Sequence, residues 1–371
     1  MTVRYGMIGS GMMGQEHIRN IALLKDAKVV AVADPDAGMR CAAAELAGAK
    51  RFSDYHDMLA AGGLDAVIVA APNHTHHAIL RDVLETELPV LCEKPLGVTL
   101  KQCLDIAHWQ AVRDAPLWVA MEYRYMAPME RLLAEVRAGR AGRVQMMTIR
   151  EHRFPFLEKV GDWNRFSENT GGTLVEKCCH HFDLMRLVLN AEPVRVMASA
   201  GVDVNHLDET YDGRVPDIAD NGYVIVEFAN GARGMLELCM FAEGAYWQET
   251  VSVMGTKARI EAKIPGPARF AVDGKARDGM VSIADRATGI ELDHVIETAA
   301  EIMAAGDHHG STFRQHERFA DMVLNGGVPD VTVWDGLAAV AIGRAAHESA
   351  QSGQAVELDM EKGRYGVYRD H

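Results

Sequence analysis

Three glycines, Gly9, Gly11 and Gly14 in GSGMMG, follow the apolar run Val3 to Ile8 and precede a helix-like stretch. A second apolar run over 28–33 ends at Asp34, 20 residues past Gly14. Strand, glycine turn, helix, strand and acid in that order form the pattern that holds a dinucleotide. Gly9 lets the chain turn sharply, Gly11 lacks the side chain that would block a pyrophosphate, and Gly14 lets the helix lie close to the strand. The helix start at Met12 and Met13 offers free N–H groups and a partial positive charge to phosphates. A carboxylate at 34 binds a ribose 2′-hydroxyl and repels a 2′-phosphate, so NAD is expected over NADP. Arg40 stands too far along to reverse that preference.

Two clusters sit where later strands should end. Ala71 to His77 brings Pro72, Asn73 and His76 to the tip of the third long apolar run, where polar groups reach a nicotinamide ribose. Cys92-Glu93-Lys94-Pro95 ends the next run; proline fixes the backbone beside Lys94 and aims its ammonium at the cleft. A lysine there can stabilise an alkoxide or lower the pKa of an alcohol. A Glu93–Lys94 ion pair is the competing reading, but neighbours on a strand face opposite ways.

Further along, Glu176, His180 and Asp183 are spaced four and three apart, which places them on one helical face. The acid one turn before His180 can orient it or bind a substrate hydroxyl. Cys178-Cys179-His180-His181 suggests a metal, but consecutive helical residues fan out by about 100° and cannot converge on one ion, so no metal is expected. The stretch 150–165 concentrates Arg150, Arg153, Lys159 and Arg165 amid aromatics that include Trp163. Such a loop can grip a sugar face and an anionic substituent, or pair with its own Glu158 and Asp162. Lys177 and His181, four apart, can join the same pocket. His308 or His309 can close it, or serve as satisfied structural side chains.

These residues need elements to hold them. Strands are expected at 3–8, 28–33, 66–71, 89–92 and 117–121, alternating with helices at 13–25, 36–47, 54–61, 75–87 and 99–113. Asp54 and Thr99 are expected as helix caps. Nearly all-apolar strands between helices predict a doubly wound parallel sheet covered on both faces. After a helix at 127–138 the pattern changes to strands at 143–153, 194–204, 221–229, 232–241, 249–254 and 257–263. Several alternate polar with apolar residues, and Asn230-Gly231 marks a hairpin. Helices are expected at 173–190, 312–325 and 334–352, and residues 265–300 have no placement. The expected organisation is therefore α/β: a dinucleotide domain over 1–122 and an α+β domain over 123–371 built on an open, mainly antiparallel sheet. A sheet face without its own helices predicts a homodimer or homotetramer.

The 371 residues carry a formal charge of −14, which argues against nucleic acid and anionic membranes as partners. No apolar stretch reaches the roughly 18 residues of a membrane helix, and no secretion signal precedes the first strand. Six scattered cysteines form no disulfide framework, so a cytoplasmic protein is expected.

GSGMMG, Asp34, PNHTH and EKP in this order resemble the glucose–fructose oxidoreductase and inositol dehydrogenase (Gfo/Idh/MocA) family. Glu122-Tyr123-Arg124-Tyr125 with Pro128 is similar to the family's segment after the fifth strand. Gly171 to Glu176 with His180 and Asp183 is similar to its GGxLxDxGxHxxD helix, with Glu176 where Asp is usual and Cys178 where Gly is common. The resemblance implies Lys94 at the reacting hydroxyl, His180 as acid/base and Glu176 beside them. It implies contacts to the cofactor from the glycine turn, Asp34, Pro72, Asn73, His76, Glu93 and Lys94. Tyr123, Arg124, Arg153, Lys159, Trp163, Lys177 and His181 are expected to line the substrate pocket. The activity implied is NAD-dependent oxidation of a ring hydroxyl of a sugar, sugar derivative or inositol. Two alternatives stand beside it: redox-neutral hydrolysis of an anionic glycoside through transient oxidation, and a non-catalytic NAD-binding regulator.

Overall fold

Alternating apolar strands and capped helices build the first half. The computed structural model describes residues 2–360. In order come β1 (Val3–Ile8), α1 (Met12–Ile21), β2 (Ala27–Ala33), α2 (Ala37–Ala47), β3 (Lys50–Phe52), α3 (Tyr55–Ala61), β4 (Ala66–Val69), α4 (His76–Val83), β5 (Val90–Cys92), α5 (Leu100–Ala111) and β6 (Leu117–Val119). The six strands pair in parallel in the order β3-β2-β1-β4-β5-β6. Strand order reverses between β1 and β4, and ligands of such sheets bind in the crevice beyond that point. β4, β5 and β6 are buried throughout, as the apolar runs require. Asp54 caps α3, and Thr99 with Gln102 forms a capping box on α5. α1 stops at Ile21, four residues short of expectation, and α4 is preceded by a 3₁₀ turn over Asn73–Thr75.

The second half contains α6 (Ala127–Arg137), β7 (Val144–His152), α7 (Ser167–Thr170), α8 (Thr173–Glu176), α9 (Cys179–Leu189), β8 (Pro193–Gly201), β9 (Asn221–Phe228), β10 (Arg233–Cys239), β11 (Trp247–Gly255), β12 (Ala258–Pro265), β13 (Gly279–Asp285), β14 (Glu291–Ile296), α10 (Ala300–Ala304), α11 (Ser311–Asn325), α12 (Val333–Ser352) and β15 (Val356–Glu357). Nine strands form one sheet in the order β14-β13-β12-β11-β7-β10-β9-β8-β15. The pairing is antiparallel except between β7 and β10. Gly231 turns the β9–β10 hairpin at φ 82°. One face packs on helices through Met147, Ile149, Val251 and Val253, while Met146, Tyr223, Ile225 and Leu292 stand exposed. α12 packs against α5, α9 and β8 and so links the two sheets.

Two expectations change here. Residues 265–300, left without placement, contain β13 and β14, which extend the sheet as its outer edge. β14 is largely exposed and lacks a buried stripe, so its periodicity is weak. The helix expected over 173–190 is broken. α8 ends at Glu176, and the Cys178 N–H donates back five residues to the Thr173 carbonyl (3.3 Å), a widened turn before α9 starts. The 361–371 tail of the expected second domain lies outside the described residues.

Candidate active site

The glycine turn has two packing constraints and one open position. Gly9 sits at φ 86°. A Cβ on Gly9 would lie 2.5 Å from the Ala71 nitrogen, and one on Gly14 would lie 2.4 Å from the Gly9 carbonyl oxygen. A Cβ on Gly11 would meet no heavy atom within 4 Å among the described residues. The chain's own packing thus demands the outer two glycines, and Gly11 faces the space where a pyrophosphate would lie. Gly11 also starts α1 with no side-chain cap, so the first N–H groups remain available. The Asp34 carboxylate accepts from Ser10 N (2.7 Å), Ser10 Oγ (2.9 Å) and Asp36 N (2.8 Å), which fixes it at the rim of the turn. Arg40 folds back on the Asp34 carbonyl (2.5 Å), nearer than its sequence distance implied. Glycine cradle, free helix start and acid all fit a dinucleotide.

Two residues expected to touch the cofactor make contacts with the protein's own groups. Both ring nitrogens of buried His76 face backbone carbonyls, Pro95 at 2.9 Å and Ala71 at 3.0 Å, so His76 ties the two strand-tip loops together. Glu93 is also buried. One carboxylate oxygen meets His17 Nε2 (2.9 Å) and the other accepts from Lys94 N (3.1 Å). His17 continues to His316 on α11 (2.8 Å). This chain braces the lysine loop against the C-terminal half. Pro72 and Asn73 remain at the crevice, with the Asn73 amide beside Glu176.

Lys94 Nζ donates to the Glu176 carbonyl (3.1 Å), the last one of α8. Burial opposes its charge, but Cys179, Glu176, Glu122 and Glu93 more than offset this and hold its pKa above the ordinary value. Burial raises the Glu176 carboxyl, while Lys159, Lys94 and Arg153 pull it back. His180 is buried with its ring stacked on Tyr123, centroids 4.1 Å apart and planes within 6°. Burial first, then Lys94, Lys177, His181 and His308, push its pKa well below the usual value. Its imidazole is therefore neutral at neutral pH.

Asp183 is fully buried and accepts two hydrogen bonds from Arg124, Nε to Oδ2 at 2.6 Å and Nη2 to Oδ1 at 2.5 Å. Arg124 also donates to the Asp330 carbonyl (2.7 Å). Arg124 is thus a strut between α9 and the residues after β6.

The basic loop reaches the same region. Glu176 and Lys94 are the strongest charged neighbours of Lys159, whose pKa burial lowers, and its ammonium lies 4.9 Å from the Trp163 ring. Lys177 pairs with Glu151 (2.9 Å) and contacts the Tyr123 hydroxyl. Arg153 (3.6 Å) and His181 (3.0 Å) face the same Glu151, and Glu249 on the adjoining strand lies 3.7 Å from His181. Glu151 is held ionised, whereas burial and Glu151 push the Glu249 carboxyl up to about 8. Arg165 is spent on Glu209 (2.9 Å) outside this cluster. His74 and Trp163 wall an adjacent cleft of about 570 Å³, closed by Phe166, Asn169, Tyr211 and Arg214.

Residues 3–121 match the family model for the NAD-binding Rossmann fold of the GFO_IDH_MocA oxidoreductases, and residues 134–358 match that family's C-terminal alpha/beta domain. The chain belongs to the Gfo/Idh/MocA oxidoreductase family. It is an NAD-binding oxidoreductase with an N-terminal Rossmann unit. Inositol 2-dehydrogenase 1 of Saccharopolyspora erythraea is 28% identical over 369 residues, covering 97% of each chain. The rhizopine catabolism protein MocA of Rhizobium meliloti is 29% identical over 266 residues, 71% of this chain and 79% of that one. Among solved structures, levoglucosan dehydrogenase in complex with NADH superposes with a TM-score of 0.80 at 20% identity, covering 96% of this chain and 99% of that one.

This family member holds further buried charges that sequence reasoning missed. Glu122 lies with its Oε1 3.6 Å from His180 Nε2. Burial and Glu93 push its carboxyl up to about 7, against His308 and Lys94. Glu16 on α1 meets His308 Nδ1 (2.6 Å) and Thr312 Oγ1 (3.1 Å). Burial disfavours the His308 charge, but Glu16 outweighs it and raises His308 to about 9. A signal did exist for the strand acids. Glu151 continues the inward Met147–Ile149 alternation, and Glu249 precedes inward Val251 and Val253. An acid on the apolar face of a strand marks a pocket.

Proposed function

We propose that this chain oxidises a ring hydroxyl carbon of a sugar, sugar derivative or cyclitol, with NAD as hydride acceptor. One observation carries the reading: Lys94, 86 positions before His180 in sequence, donates from Nζ to the Glu176 carbonyl (3.1 Å) at the end of α8, the short helix that leads into α9, where His180 lies stacked on Tyr123. Bound NAD supplies an acceptor for the hydride. Lys94 donates to the substrate hydroxyl and stabilises the alkoxide as it forms. An imidazole nitrogen of His180 accepts the hydroxyl proton. Glu176 orients a neighbouring hydroxyl through its unpartnered, buried Oε2. Tyr123, Lys177 and His181 shape the pocket floor, and Trp163 its wall.

Lys159 and Arg153 favour a substrate carrying a carboxylate or another anionic group, and the cleft beyond Trp163 leaves room for a substituent. Asp34 favours NAD over NADP, because its carboxylate repels a 2′-phosphate. The dehydrogenase reading is preferred to the hydrolytic alternative because relatives such as inositol 2-dehydrogenase 1 and levoglucosan dehydrogenase carry the names of dehydrogenases. The exposed sheet face bearing Met146, Tyr223, Ile225 and Leu292 suits a homodimer or homotetramer, which light scattering would detect. No helix among the described residues is long and apolar enough to cross a membrane, and a cytoplasmic location fits the free thiols.

The test is initial-rate reduction of NAD and NADP with a panel of inositols, neutral sugars and uronates. Stoichiometric NADH that disappears in Lys94→Met and His180→Asn supports the reading. Full activity in either variant removes that residue from the chemistry. Lys159→Met is expected to raise KM for uronates about tenfold and leave neutral sugars little changed.

A further inference from the structure

A general base must hold a proton in the transition state, and the surroundings of His180 oppose this. Besides burial, Lys94, Lys177, His181 and His308 all act against a charged imidazole. The acid expected to compensate was Glu176, one turn earlier. The turn between the two is widened at Cys178, and the charged groups that act on the Glu176 carboxyl are Lys159, Lys94 and Arg153. Among the described residues the carboxylate in ion-pair contact with His180 belongs to Glu122, in the 3₁₀ turn after β6. Both side chains are 2% exposed. Glu122 Oε2 and His180 Nδ1 are buried without hydrogen-bond partners among the described residues.

We propose that Glu122 is the positioning residue of the acid/base step: its carboxylate faces the imidazole and becomes the counter-ion of the imidazolium. The proposal rests on the dehydrogenase reading above. During oxidation the substrate O–H bond breaks and its proton forms an N–H bond on His180. The C–H bond releases hydride to the nicotinamide. The positive ring is then balanced by Glu122, as buried charge requires. The 3.6 Å separation is longer than a hydrogen bond and shortens when the ring gains its proton. The charged and titratable groups around Glu122 come from three elements: Glu93 and Lys94 beyond β5, His308 before α11, and His180 on α9. Since Glu122 ionises near pH 7, kcat for oxidation should rise through that pH as the counter-ion appears.

The test uses the full chain and Glu122→Gln, which keeps the shape and removes the charge. The expected result is a loss of about 10- to 100-fold in kcat at pH 8, with the rise near pH 7 abolished and NAD affinity and melting temperature retained. Glu122→Asp should keep the rise at reduced amplitude. A second readout needs no turnover: in labelled protein without substrate, the His180 ring resonance, assigned by its absence in His180→Asn, should inflect near pH 7 and lose that inflection in Glu122→Gln. An inflection that persists in Glu122→Gln, or wild-type kcat with an unchanged pH limb, overturns the proposal. If no sugar or cyclitol is oxidised by the wild-type chain, the functional reading fails, and the resonance titration still decides whether Glu122 controls His180.

Discussion

Replacing Arg124 by Ala separates a strut from a substrate ligand. The guanidinium makes a two-pronged contact with Asp183, which is fully buried, and Arg124 itself is 8% exposed. The two partners respond in unlike ways. Burial opposes the Arg124 charge, but Asp183 raises its pKa above the ordinary value; the Asp183 carboxyl also stands above its usual value, because burial outweighs the arginine there. The pair therefore contributes little net stability over well-packed apolar groups, yet breaking it leaves a carboxylate with no outlet to water. Losing one partner of such a pair costs about 3–5 kcal/mol. That is a large share of the roughly 5–15 kcal/mol that holds a domain folded.

Urea unfolding should therefore show a much earlier midpoint for Arg124→Ala, while KM for sugar in the folded fraction stays within about twofold of wild type. The double variant Arg124→Met, Asp183→Leu should recover most of the loss, since no buried charge remains. A stable Arg124→Ala protein with KM raised tenfold or more would refute the strut and return Arg124 to the substrate pocket.

Gly11→Ala should leave the melting temperature unchanged and weaken NAD binding by calorimetry, because its Cβ would meet no described atom within 4 Å and would enter the open space proposed for the pyrophosphate. Gly14→Ala should destabilise the fold with or without NAD, since its Cβ would sit 2.4 Å from the Gly9 carbonyl oxygen. Equal melting losses in both would defeat this division. The Glu16–His308 pair should make stability pH-dependent. His308 is raised to about 9, so its contribution, about 3 kcal/mol at most, is complete below pH 6.5 and lost as pH rises toward 9. Glu16 is lowered to about 2, so its share is complete above pH 4.5 and lost as pH falls toward 2. Unfolding free energies of wild type and His308→Gln should converge on the alkaline side, and a constant difference from pH 6 to 9 would count against the pair.

The fold was legible wherever one local rule decides the outcome. Apolar runs between helices gave the parallel sheet, and Asn230-Gly231 gave the hairpin, because each depends on residues a few positions apart. The site was legible where backbone geometry alone places a group: the glycine turn, the Asp34 rim and Lys94 at a strand tip. Roles that depend on which of several charges reaches a given side chain were not legible. Arg124 and Lys159 are both basic residues of the second half, yet one is consumed by Asp183 and the other faces Glu176. The clearest case is the helix drawn through 173–190. A spacing of four puts an acid and a histidine on one face only if the turns between them are regular, and the turn at Cys178 is widened. Lys177, just before the widened turn, pairs with Glu151 and contacts Tyr123 on other elements. Those partners lie 26 and 54 positions away. The acid that does face His180 arrives from 58 positions upstream, in a turn whose sequence, Glu-Tyr-Arg-Tyr, carries no helical or strand period to announce it. A buried acid/base pair is assembled by packing, so it becomes readable only once the packing is known.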